Sequence, residues 1–158
     1  MRGGRYYEDF ELGATYAHRP GRTIGEADNT WFTLLTMNQH PVHFDAEYAR
    51  HTEFGKPLVV STLTLSLLVG MSVADMSQKA IANLGWERIT LPNPVFVGDT
   101  LYAESTVLDK RESKSRPGEG IVSVRTLGRN QRGEVVCEFK RTMLVMRRGH
   151  PLESKAGY

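Results

Sequence analysis

From Leu58 to Ala74 the chain reads LVVSTLTLSLLVGMSVA without one charged side chain. No other stretch limits the possible folds as much. Its length sits at the lower edge of what a helix needs to span a bilayer's hydrocarbon core. Hydroxyls recur along it at Ser61, Thr62, Thr64 and Ser66, Gly70 lies within it, and Lys56 and Asp75 flank it with no aromatic belt. A helix that is apolar nearly all round, with hydroxyls of this kind, fits the buried centre of a water-soluble fold. No membrane span is expected.

Such a helix must be covered by the rest of the chain. The 158 residues are enough for one domain with a single core, expected over 1–150 with a polar tail at 151–158. Forty per cent hydrophobic and 24% charged residues are ordinary for a globular protein. A formal charge of +2, with no basic run interleaved with aromatics, argues against a nucleic-acid partner. The single cysteine, Cys137, excludes a disulfide framework and a cysteine metal cluster, and fits a reducing compartment. The opening MRGGRYYEDFELG lacks an apolar core of the secretory type, so a cytoplasmic location is expected.

An extended segment is read near GATYAHRP, closed by Pro20 and Gly21. A short helix follows, with Thr23 and Glu26 as a capping box and Ala27, Trp31, Leu34 and Leu35 at helical spacing. Pro41 disfavours helical geometry at His40, so this helix ends near Asn38 and QHPVH becomes a turn projecting from its end. DAEYARHTEF can form another brief helix before Gly55–Lys56–Pro57. The apolar helix is expected to be capped by Ser61 or Thr62 and to run to Asn83 or Gly85. WERITL, TLYAESTVLDKRES, GIVSVRTLGRN and EVVCEFKRTMLVMRR then read as strands, the last two joined by the turn NQRG. The tail GHPLESKAGY reads as polar and frayed. The class is α+β: a curved antiparallel sheet around one long helix. A single sheet leaves part of that helix and its own edges uncovered, which points to a second copy of the chain.

MNQHPVHFD, Met37 to Asp45, carries the chemistry. His40 and His43 have an H-x-x-H spacing that invites a metal reading with Asp45 as third ligand. Pro41 keeps the two rings off one helical face, however, and no further Cys/His cluster exists, so no metal is expected. An imidazole, with an ordinary pKa of about 6.5, suits general base work. A turn histidine bonded to backbone is the plainer alternative for His43, and a helix cap for Asn38; Asp45 either supports the site by orienting His43 or lies on the surface. Asp28 is expected to be solvated or capping. Lys110, Arg111, Lys114 and Arg116 cluster in DKRESKSRPGEG, where a basic hairpin serves solubility or binds phosphate.

The Pro-x-His loop, FGKPLVVSTLTLS leading into the apolar helix, and PVFVGDTLYAESTVLDKRESKSRPGEG together resemble the MaoC-like (R)-specific enoyl-CoA hydratases, over about Phe10 to Arg147. The likeness is greatest to the branch acting on mesaconyl-, itaconyl- or methylmalyl-CoA. The resemblance implies the hot-dog fold, a homodimer or a multiple of dimers, an acyl-CoA substrate and hydro-lyase activity without a cofactor. It places His43 as the catalytic histidine and Asn38 where the family carries an aspartate, with His40 at the family's asparagine. It places the Ser61 and Thr62 amides at a helix start that polarises the thioester carbonyl. Arg116, Lys114 and Arg111 become candidates for the phosphates of CoA. An aspartate facing a substrate carboxylate would repel it by about 4 kcal/mol at 4 Å and an effective dielectric near 20. Asn38 therefore suits a branched dicarboxylic thioester such as mesaconyl-CoA or an itaconate-derived ester. The alternatives are a hot-dog thioesterase and a non-catalytic thioester-binding or regulatory protein.

Overall fold

Alternating burial fixes the second half of the chain as strands: Leu101, Ala103, Ser105 and Val107 point inward while Tyr102 points out. The computed structural model describes residues 3–156. Its five strands are β1 Thr15–Thr23, β2 Ala80–Thr90, β3 Thr100–Glu112, β4 Glu119–Arg129 and β5 Val135–Met146. They form one sheet in the order β1-β3-β4-β5-β2, with every neighbouring pair antiparallel. Four α-helices accompany them: α1 Glu26–Thr36, α2 Ala46–Arg50, α3 Ser61–Met71 and α4 Pro151–Ala156.

α3 is the expected central helix, and it packs on one face of the sheet. Leu63 and Leu68 join Leu101, Ala103, Val136, Cys137 and Phe139 in one apolar cluster. Gly128 makes that approach possible, since a Cβ there would stand 2.3 Å from Leu68 Cδ1. A second cluster gathers Phe10, Met76, Val107, Val122, Val124 and Met143. Between them lies a polar layer. His18, wholly buried, holds Asp75 at 2.9 Å through Nδ1 and the Ser105 hydroxyl at 2.8 Å through Nε2. Arg141 donates to Ser72 Oγ at 3.0 Å, while its Nε and Nη1 are buried with no partner among the described residues. Burial pushes the Arg141 guanidinium down to about 10 and the Cys137 thiol up to about 11.

Several element boundaries differ from expectation. β1 continues through Pro20 and Gly21 to Thr23, with a register shift between His18 and Arg22. Thr23 is thereby occupied in the sheet, its hydroxyl bonded to that of Thr100 at 2.7 Å, so it does not cap α1. Gly25 is the N-cap instead, and its N–H donates to Asp28 at 2.7 Å. α3 is capped by Val60 rather than Ser61 or Thr62, and ends at Met71 rather than near Asn83. The Ser72 hydroxyl donates back to Val69 O at 2.7 Å, a single π-turn covers Val73–Ser77, and Asn83 and Gly85 belong to β2, paired with β5. The tail folds as α4, where Glu153 accepts from Tyr6 Oη at 2.7 Å and pairs with Lys79. Among the described residues no helix is long and apolar enough to cross a membrane.

Candidate active site

α1 carries the site on an unexpected face. Its buried residues are Asn29 and Thr33, while Trp31, Leu34, Leu35 and Met37 are 64%, 70%, 77% and 82% exposed. The helix stops where Met37 adopts a left-handed conformation (φ 57°) and Asn38 N–H returns to Thr33 O at 3.0 Å. Pro41, whose missing N–H is harmless at a helix start, opens a 3-10 turn over Pro41–His43. That turn presents His43 on the wall of a cavity of about 330 Å³, which Asn29, Thr30, Phe44, Lys56 and Phe96 also line.

His43 Nδ1 lies 2.8 Å from Leu58 O. A carbonyl only accepts, so Nδ1 carries the proton and the lone pair of the neutral ring is on Nε2. The plain reading (a turn histidine bonded to backbone) and the catalytic one thus describe the same ring: the backbone bond takes one nitrogen and frees the other as a base. His40 is oriented the opposite way, with Nδ1 accepting Val42 N–H at 3.2 Å, and its ring stands 5.9 Å from that of His43. Asn38 Oδ1 accepts His40 N–H at 3.1 Å, which leaves its Nδ2 able to donate. Asn38 lines an adjoining cavity of about 470 Å³ that shares Thr30 and Phe44 with the first. Asp45 caps α2 by accepting Tyr48 N–H at 2.9 Å. Among the described residues no three His, Cys, Asp or Glu side chains converge as a metal site.

The start of α3 lies beside this loop. Val60 N–H donates to Asn29 Oδ1 at 3.0 Å, and the first intrahelical bonds run from Leu63 and Thr64 back to Val60 O. Among the described residues the Ser61 and Thr62 amides, ahead of those bonds, have no hydrogen-bond partner at the positive end of the helix, and neither residue lines the His43 or the Asn38 cavity. Asp99 steadies the far wall: its Oδ2 accepts Phe96 N–H at 3.0 Å. Burial alone would raise the Asp99 carboxyl, but hydrogen bonds from Gln131, Phe96 N–H and Arg132 outweigh it and hold the group below its usual range.

The basic hairpin is elsewhere. Arg111 lies near the end of β3, and Lys114 and Arg116 follow it. The strand leading there from Thr100, next to the His43 cavity, is 13 residues long, roughly 40 Å of extended chain. Arg116 is paired with Glu119 at 3.1 Å. Among the described residues the lysine or arginine on the His43 cavity is Lys56, its Nζ 4.3 Å from the centre of the Phe96 ring. Lys56 and Asn29 both escaped the sequence reading. A lysine before a proline looks like a linker, and an asparagine inside an amphipathic helix looks like its solvated side.

A Mycobacterium tuberculosis protein with a double hot-dog fold matches with a TM-score of 0.86 and 23% identity over 93% of this chain and 46% of its own, which shows the fold. A MaoC-like dehydratase from Rhodospirillum rubrum matches with a TM-score of 0.81 and 33% identity over 92% of this chain and 99% of its own. The fold is thus that of a MaoC-like hot-dog domain. The profile of the Mesaconyl-CoA hydratase family matches residues 1–158, and the Mesaconyl-CoA hydratase of Cereibacter sphaeroides is 38% identical over 92% of this chain and 42% of its own. The chain belongs to the mesaconyl-CoA hydratase family. It spans about two fifths of the length of the curated relatives first matched.

Proposed function

We propose that this chain is an acyl-CoA hydratase/dehydratase that adds water reversibly to an α,β-unsaturated CoA thioester, a branched dicarboxylic one of the mesaconyl or itaconate-derived kind. The observation that carries this reading is His43, whose Nδ1 is tied to Leu58 O, next to the free amides at the start of α3. In the forward direction Nε2 takes a proton from water as its oxygen bonds to the β-carbon. The electron pair of the double bond moves toward the α-carbon and onto the thioester oxygen, where the Ser61 and Thr62 amides stabilise the charge. The imidazolium then returns its proton to the α-carbon, and the carbonyl reforms. No cofactor enters these steps.

Asn38 offers an amide where a carboxylate would repel an acidic acyl group, and Lys56 adds a cation to the cavity, with the exposed Glu26 also on its rim. Protonated His40 would add attraction. We place this enzyme in the cytoplasm as a homodimer or a multiple of dimers. The exposed apolar face of α1 is the surface that a second copy covers. Arg111, Lys114 and Arg116 then serve CoA phosphates only from a neighbouring copy, given their place on the far hairpin.

The test follows the loss of enoyl-thioester absorbance with mesaconyl-, itaconyl- and crotonyl-CoA. Wild type is expected to prefer the dicarboxylic substrates, and His43→Ala to lose at least about a hundredfold in kcat, the lower end of what a general base contributes. Asn38→Asp is expected to shift preference toward crotonyl-CoA. Full activity in His43→Ala, or release of free thiol in place of hydration, overturns the reading. A wild type that prefers crotonyl-CoA removes the charge-matching part.

A further inference from the structure

We infer that Asn29 is a positioning residue, one carboxamide that holds the base and the oxyanion donors at a fixed spacing. Asn29 is 2% exposed on a helix whose Trp31, Leu34 and Leu35 face outward. Its three hydrogen bonds reach two chain segments, the His43 turn and the Leu58–Val60 stretch that enters α3. Nδ2 donates to His43 O at 2.8 Å, in the turn that carries the imidazole, and to Leu58 O at 3.2 Å. Oδ1 accepts Val60 N–H at 3.0 Å, at the cap of α3. Only this orientation of the amide satisfies all three, because reversing it would set an oxygen against two carbonyls.

Leu58 O is the shared point. It accepts from Asn29 Nδ2 and, at 2.8 Å, from His43 Nδ1. The loop is therefore closed: Asn29 to the His43 backbone, His43 ring to Leu58 O, and Leu58 O back to Asn29. The imidazole cannot turn away without breaking a bond inside that ring. Because Asn29 takes the Val60 N–H, the donors left free at the start of α3 are the next two amides, Ser61 and Thr62. One side chain thus sets the tautomer of the base and the place of the oxyanion pocket together, and a displacement of either by about 1 Å can cost about a hundredfold in rate.

The catalytic half of this inference rests on the hydratase reading; the tautomer half does not. Asn29→Ala is compared with Ser123→Ala, whose parent residue is buried on β4 and bonds the Thr142 hydroxyl at 2.9 Å, with no link to the His43 cavity. Asn29→Ala is expected to lose about a hundredfold in kcat with KM changed less than threefold. Ser123→Ala is expected to lose some stability yet keep kcat within twofold. Nitrogen-15 NMR of the histidine rings in ligand-free protein is expected to find the Nδ1–H tautomer at His43 in wild type and a mixture in Asn29→Ala. An unchanged His43 tautomer and titration, or kcat within threefold of wild type, overturns the inference. Should wild type hydrate no enoyl-CoA, the hydratase reading fails and the NMR result alone decides the role of Asn29. Asn29→Asp, which keeps the shape and the acceptor for Val60 but opposes a carboxylate to two carbonyls, carries both measurements if the alanine variant does not fold.

Discussion

His18 shows what a single buried side chain does to this protein's response to pH. Burial pushes its pKa below the ordinary value, and the hydrogen bond and charge of Asp75 only partly offset that, with Arg141 and Arg5 lowering it further. In the unfolded chain the ring titrates near 6.5. Above that pH both states are neutral at this site and the stability is fully present. As pH falls below about 6.5 the unfolded chain takes up a proton that the folded ring resists, and stability is lost until the lowered folded value is reached. The urea midpoint is expected to fall between pH 7 and pH 5, and His18→Gln to flatten that part of the curve. Carboxylates held low, among them Glu8 and Asp99, act further down in acid. A midpoint equally steep in His18→Gln would assign the effect to other groups.

At the scale of elements, the contact of α3 with the sheet bears on the site, because Asn29 ties the cap of α3 at Val60 to the His43 turn. Gly128 lets Leu68 reach β4, where an added methyl would meet Leu68 Cδ1 at 2.3 Å and Cδ2 at 2.8 Å. Gly128→Ala is expected to cost about 1–3 kcal/mol in urea unfolding. If the strain is relieved by a shift of α3, kcat falls as well. A variant of wild-type stability would mean that Leu68 turns aside without cost. The expected end of this helix near Asn83 was misplaced for a related reason. The apolar run LVVSTLTLSLLVGMSVA reads as one helix, whereas the Ser72 hydroxyl and the pairing of β2 with β5 end it at Met71.

For the whole molecule, the proposed assembly turns on the outward apolar face of α1. Trp31, Leu34, Leu35 and Met37 are each more than half exposed, with Phe44 beside them at 50%. Contiguous apolar surface of this kind marks an interface. Leu34→Glu/Leu35→Glu is expected to convert a dimer into a monomer by sedimentation velocity, with the fold retained by circular dichroism. A wild type that sediments as a monomer, or a double variant that still dimerises, would refute that face as the interface. Leu34 lines the 470 Å³ cavity with Asn38, so loss of the dimer is expected to reduce turnover too.

Periodicity and local chemistry determined what was legible beforehand. The α+β class, the central helix and most strands follow from apolar spacing, the turn at His40–His43 follows from Pro41, and His43 stood out as a base through the resemblance of its loop to a known family. These are properties of neighbours in the chain. The tertiary structure decided the rest: the cap at Gly25 instead of Thr23, the outward face of α1, Lys56 on the His43 cavity, the distance of Arg111, Lys114 and Arg116 from it, and the bonds of Asn29 to His43, Leu58 and Val60. The physical reason is that a hydrogen bond or a buried face is settled by which segments meet in space. Asn29 bonds partners as far as 31 residues away in sequence, and no local pattern records that meeting.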